Sequence, residues 1–266
     1  MICVFDVESV PDVEQIAAKM NLESKNNLEI CQIAFKEQLE KSGSEFLPIF
    51  WHKIVAISSV ICDDYGNFIK VGNFGKQGGE KEILEDFLGF INRKEPRLVS
   101  FNGRGFDIPV IMLRAMKYNL CAFGYYESEN AAKTKSKWEN YRMRYSEKWH
   151  TDLLDSLGHF GSVRNLNLDG VCKMLGIVGK YDVSGSDVYR LYYQDNDIDK
   201  INQYCQSDVL NTYWVYLKYA ILKGELSIED YAGILEKWSE NLPKDMEYSK
   251  NFMQNIKQEL AGLDIL

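Results

Sequence analysis

The run Lys53 to Ile61 (Lys-Ile-Val-Ala-Ile-Ser-Ser-Val-Ile) constrains this chain more than any other stretch. It is β-branched and does not alternate apolar with polar, so it reads as a strand buried on both faces. Such a strand needs helices above and below its sheet. Residues 2–7 (Ile-Cys-Val-Phe-Asp-Val) read as a further strand, as do 97–101 (Arg-Leu-Val-Ser-Phe), while 68–74 returns as a hairpin partner after the turn Asp63-Asp64-Tyr65-Gly66-Asn67. Ile83, Leu84, Phe87, Leu88 and Ile91 put an apolar stripe on one face of a helix over 80–92. A second helix is expected over 108–118, a last strand near 149–154 and a helix over about 197–220. This order predicts an α/β domain, a mixed β-sheet flanked by helices.

Three stretches stand outside that pattern. Residues 12–50 read as an insertion and 121–148 as a polar, aromatic-rich excursion. Helical spacing at Ile228, Tyr231, Leu235 and Trp238 makes 226–266 a C-terminal helical extension packed on a main domain of residues 1–225. The length of 266 residues, with 45% hydrophobic and 26% charged content, suits one large domain with an appendage. No run of about 18 apolar residues occurs, which predicts no membrane span. The opening residues lack the pattern of a signal peptide, so a cytoplasmic location is expected.

Cysteine and histidine usage limits the metal chemistry. The six cysteines lie far apart with no CxxC pair, and are expected as reduced, buried thiols. His52, His150 and His159 are the only histidines, so a bound metal must be held mainly by carboxylates, which favour magnesium or manganese over zinc. A net charge of −8 argues against coating nucleic acid by bulk electrostatics, though not against gripping a few nucleotides.

Carboxylates recur in a telling order. Asp6 and Glu8 end the first strand, and residues two apart on a strand point to one face. A DxE triplet arises about once by chance in a chain of this length, and a solvated strand end is the plain alternative. Asn102-Gly103-Arg104-Gly105-Phe106-Asp107 follows a strand and opens a helix, where Asp107 is also expected as its N-cap with Pro109 in the first turn. Tyr204 and Asp208, spaced i, i+4, share a face of a late helix; alone, they equally suit a buried tyrosine and a capping aspartate.

Taken together, these motifs resemble the tyrosine-bearing branch of the DEDD 3′→5′ exonucleases, and especially the proofreading domain of family-B DNA polymerases and stand-alone bacterial proteins related to it. Asp6 and Glu8 match the first motif, Asn102 through Asp107 the second (Nx3FD), and Tyr204 with Asp208 the third. The likeness covers most of residues 1–220 and implies a ribonuclease H-like fold. It implies hydrolysis from the 3′ end of a single strand, DNA more than RNA, releasing nucleoside 5′-monophosphates. Two divalent cations, Mg²⁺ or Mn²⁺, would be held by Asp6, Glu8, Asp107 and Asp208. Tyr204 would align the attacking water. Glu8 and the backbone at Ser9 and Val10 would hold the terminal 3′-OH, while Asn102 and Phe106 contact the last nucleotides.

Beside these motifs, 131–150 mixes six cations (Lys133, Lys135, Lys137, Arg142, Arg144, Lys148) with Trp138, Tyr141, Tyr145 and Trp149, a composition that suits either a strand-guiding groove or a solvated surface excursion. Asp152 and Asp155 are expected as helix caps. An exoribonuclease of the same chemistry is the nearest rival. A non-catalytic nucleic-acid-binding module would not need all five chemical positions, and a phosphatase acting on free nucleotides would not need a basic-aromatic groove.

Overall fold

The computed structural model describes residues 1–75, 78–179 and 185–263. In chain order the elements are β1 (Ile2–Pro11), α1 (Val13–Met20), α2 (Asn27–Ser42), β2 (His52–Cys62), β3 (Phe68–Asn73), α3 (Glu80–Lys94), β4 (Arg97–Ser100), α4 (Asp107–Lys117), α5 (Phe123–Tyr126), β5 (His150–Asp152), α6 (Leu153–Leu157), α7 (Leu168–Leu175), α8 (Val188–Arg190), α9 (Ile198–Leu222), α10 (Ile228–Asn241) and α11 (Glu247–Gly262). The strands lie in the order β3-β2-β1-β4-β5. β1 and β3 run antiparallel to β2, whereas β1, β4 and β5 are mutually parallel, giving the mixed sheet that the strand pattern predicts. No helix among the described residues is long and apolar enough to cross a membrane.

The pleat of β1 sorts its side chains between two cores. Ile2 and Val4 face Val209, Leu210, Tyr213 and Trp214 of α9, with Trp238 of α10 and Phe252 of α11 completing the cluster. Cys3, Phe5 and Val7 face the other way, onto Ile83, Leu84 and Phe87 of α3 and Ile111 of α4. A third cluster gathers Ile16 of α1 and Ile30, Cys31 and Ala34 of α2 against Val10, Ile201, Tyr204 and Cys205. Residues of α1 and α2 therefore pack on the end of β1 and on α9. Five cysteines are buried, but Cys121 is exposed, against the expectation that all are interior.

One mismatch in strand length shapes the C-terminal end of β1. β1 follows β2 as far as Pro11, well past the expected end at residue 7. Its pairing with β4 covers only Ile2, Cys3 and Val4. From Phe5 onward β1 thus projects beyond β4, at the place where the sheet changes from antiparallel to parallel. In open α/β sheets this carboxyl-end crevice is where ligands bind. A β-bulge between Glu8 and Ser9 leaves Val55 of β2 as the extra residue, which turns the projecting end.

Candidate active site

Asp6 and Glu8 lie on the projecting end of β1, on the Ile2–Val4 face, and so look toward α9. Tyr204 and Asp208 occupy that helix about one turn apart, both buried. Donor atoms of Asp6, Glu8 and Cys205 lie within 4.8 Å of one another. Cys205 was not among the residues expected here. It shares a helix face with Asp208, three positions on, and its Sγ sits 3.5 Å from the Asp6 carbonyl oxygen. Burial and the adjoining Asp6 and Glu8 carboxylates push its thiol pKa well up, so it stays protonated. The Tyr204 phenol is raised too, by burial first and then by Asp208 and Glu8. It keeps its proton and can orient a water without acting as a base.

Asp107 reaches the same region from α4. It is the first residue of that helix rather than its N-cap: Phe106 occupies the cap position, with no capping side-chain bond. Because Asp107 is buried, its pKa rises to about 7, and the nearby Asp152 adds to the rise. Its own backbone amide and that of Val7 are directed at the carboxylate and pull the other way. Val7 lies between Asp6 and Glu8, so this contact ties the second motif to the first.

The turn before Asp107 is held from below. Asp152 accepts from the backbone N–H of Asn102 at 2.9 Å and of Arg104 at 2.8 Å, besides capping α6 through Leu154 N–H at 3.0 Å. It is thus the cap expected, and more than a cap. Asp155 is not one: it sits in the first turn of α6 and pairs with Arg144 at 2.6 Å. Arg104 donates to the carbonyls of Tyr141, Met143 and His150, which fixes the turn from the other side. The left-handed residue is Asn102, at φ 68°, and neither turn glycine has a positive φ. Gly103 and Gly105 are needed for close approach, since a Cβ would overlap Ser100 Oγ at the first and Asn102 Oδ1 at the second.

Two clefts flank this turn. One of about 760 Å³ is bordered by Glu8, Ser9, Phe106 and His52, with α2 opposite. The other, about 440 Å³, is bordered by Asn102, Arg104, Asp152 and Asp155. Phe106 and Asn102 therefore serve different clefts. Ser9 places its Oγ 2.9 Å from His52 Nδ1. Val10 is only 1% exposed and its side chain belongs to the core.

The cations of 131–150 are largely engaged within the fold. Lys135 is buried between Glu95 and Glu127, with its ammonium about 5 Å from the Tyr141 and Trp149 rings. Lys133 pairs with Glu95, Lys148 with Glu139 and Arg144 with Asp155. Lys137 lies over Trp138 and Arg142 over Tyr126. Trp138 and Tyr145 remain exposed. The segment is thus an ion-and-ring scaffold anchored by the buried Lys135, with its other five cations on the surface.

Comparison with known proteins points one way. Residues 44–256 match the family described as "Predicted 3'-5' exonuclease related to the exonuclease domain of PolB". That span begins beyond Asp6 and Glu8 and takes in α10 and part of α11, further than the 1–220 expected from the motifs. A DNA polymerase of Archaeoglobus fulgidus is 25% identical over 152 residues, 56% of this chain and 19% of the polymerase. One from Thermococcus litoralis is 19% identical over 150 residues, 56% of this chain and 9% of the polymerase. The chain thus spans less than a fifth of these curated relatives. The family B DNA polymerase from the hyperthermophilic archaeon Pyrobaculum calidifontis superposes on 97% of this chain and 29% of its own, with a TM-score of 0.50 and 14% identity. This is a likeness of fold, and the fold is ribonuclease H-like.

Proposed function

The chain belongs to the family of predicted 3′→5′ exonucleases related to the exonuclease domain of PolB, and from that premise we propose that it removes nucleotides singly from the 3′ end of single-stranded DNA, releasing nucleoside 5′-monophosphates. The observation that carries this reading is the convergence at the projecting end of β1. Asp6 and Glu8 face Tyr204 and Asp208, the Val7 amide is directed at Asp107, and a cleft opens beside Glu8. Asp6, Glu8, Asp107 and Asp208 would hold two divalent cations. Their oxygen donors suit Mg²⁺ or Mn²⁺, and bound cations would offset the burial that raises Asp107. When bound, such cations activate water and stabilise the departing 3′ oxygen.

The chain's own groups supply the rest. Tyr204 donates a hydrogen bond that aligns the attacking water with the phosphorus; with its proton so firmly held it is an orienter. Glu8 and Ser9 border the cleft that receives the terminal nucleotide, and Phe106 lines it. Asn102, on the far side of the turn, meets the preceding nucleotide. Purified protein given Mn²⁺ or Mg²⁺ and 5′-labelled DNA or RNA oligonucleotides should produce a ladder of single-nucleotide steps on a sequencing gel, faster on DNA than RNA and on single strands than duplexes. EDTA should abolish it. Internal fragments appearing first, or cleavage that survives exhaustive chelation, would refute the proposal.

A further inference from the structure

The face of the sheet that meets α9 changes character along β1. Two cross-strand rows on it are apolar: Ile2, Cys62 and Phe68, then Val4, Val60 and Val71. The next row in the same register is Asp6, Ser58 and Asn73. A polar row against a core is costly unless its groups are hydrogen-bonded. Ser58 is fully buried, and Cys205 and Gln206, the two residues after Tyr204 in the third motif, reach this row from α9.

The hydrogen bonds here all run one way. The Tyr248 hydroxyl on α11 donates to Gln206 Oε1 at 2.5 Å, and Gln206 Nε2 donates to Asn73 Oδ1. Asn73 Nδ2 donates to Ser58 Oγ at 2.7 Å. The Ser58 hydroxyl donates to the Cys205 sulfur, which opposes the rise that burial imposes on the thiol. The Cys205 thiol donates in turn to the Asp6 carbonyl oxygen at 3.5 Å. Donors aligned head to tail polarise one another, so each link strengthens the next.

This path ends on a backbone amide. The Asp6 carbonyl and the Val7 N–H belong to one planar peptide unit. Its oxygen accepts from Cys205, and its N–H is directed at the Asp107 carboxylate. A single peptide plane is therefore held by the third motif on one side and holds the second motif on the other. Tilting that plane would move Asp6 and Asp107 together.

We propose that Tyr248, Gln206, Asn73, Ser58 and Cys205 are positioning residues, whose chain of hydrogen bonds fixes the Asp6–Val7 amide and so the placement of the Asp6 and Asp107 carboxylates. This rests on the reading of those carboxylates as cation ligands. It gives α11, which lies outside all three motifs, a part in metal binding.

The test is Mn²⁺ binding by the full chain, followed by electron paramagnetic resonance of the free ion with no nucleic acid present. Cys205→Ala should weaken binding about tenfold, as loss of the support behind a metal ligand does. Tyr248→Phe deletes one hydroxyl at the far end and should weaken it roughly threefold. Phe252→Leu trims the same core without touching the chain, and should lower the melting temperature with Mn²⁺ binding unchanged. A chain already cut transmits nothing further. The double variant of Cys205→Ala and Tyr248→Phe should therefore stay about tenfold weakened, short of the roughly thirtyfold of independent effects. In turnover, the Mn²⁺ needed for half-maximal rate should move in parallel, while oligonucleotide KM stays constant. Unchanged binding in Tyr248→Phe, equal weakening in Phe252→Leu, or a double variant at the product of the single effects overturns the chain. Mn²⁺ binding in the expected order with no strand cut by any form overturns the exonuclease reading alone.

Discussion

Burial raises the proton affinity of both Asp107 and Tyr204, with different results. Tyr204 stays neutral at every working pH, whereas Asp107 titrates near neutrality, at about 7. Its folded-state value lies above the unfolded 3.8, so the folded chain holds the proton more tightly. Its contribution to stability is therefore present at low pH and is lost as pH rises from about 4 to about 7. Without metal, Asp107→Asn should melt progressively higher than wild type across that window, by roughly 10 °C at its upper end, and the gap should level off beyond. Melting curves in EDTA from pH 4 to 9 check this, and a constant gap would contradict it. For turnover, Asp6→Ala, Glu8→Ala, Asp107→Ala and Asp208→Ala should each lose at least ~10²-fold in kcat. Tyr204→Phe should lose less, because only water alignment is impaired. Single-turnover rates on one oligonucleotide give the ranking, and full activity in the Asp208 variant would remove it from the site.

The turn between β4 and α4 depends on an element distant in sequence. Parallel pairing of β4 with β5 sets Ser100 opposite Asp152, and this register brings the Asp152 carboxylate under the amides of Asn102 and Arg104. Asp152→Ala should therefore cost more than a lost cap, about 2–3 kcal/mol, because two part-buried amide donors lose their acceptor as well. Oligonucleotide KM should rise along with it as Asn102 and Phe106 shift, measurable by urea unfolding beside steady-state kinetics. Normal kinetics in a destabilised variant would confine Asp152 to stability. Sequence could not reveal this role. The apolar stripe of α3 and the β-branched run of β2 are local signals, so periodicity places those elements correctly. The support under Asn102, the approach of Cys205 to Asp6 and the burial of Lys135 all depend on which strands and loops become neighbours. The carboxylates, being local motifs, stood out in the sequence as an ordered set, while the α2 side of the cleft beside Glu8 did not.

At the scale of the whole molecule, the C-terminal helices are built into the main core. Trp238 and Phe252 are fully buried against α9, Trp214 donates to Tyr231 at 2.8 Å, and Tyr248 donates at 2.5 Å to Gln206 inside the third motif. α9 therefore has the sheet on one side and α10 and α11 on another, which steadies Tyr204 and Asp208 between them. The ion-and-ring scaffold of 131–150 has a different consequence, for how substrate is found. Four of its six cations already face acids, which cancels much of their pull on distant phosphates, and the chain carries a net charge of −8. Raising ionic strength from about 50 to 200 mM should change kcat/KM by less than about tenfold, where a protein with many phosphate contacts would lose roughly 10³–10⁵ in affinity. Sliding along a strand relies on that same long-range attraction. Catalysis should accordingly be distributive: in a chase with excess unlabelled oligonucleotide, each labelled strand should be shortened by only a step or two before it is released and another takes its place.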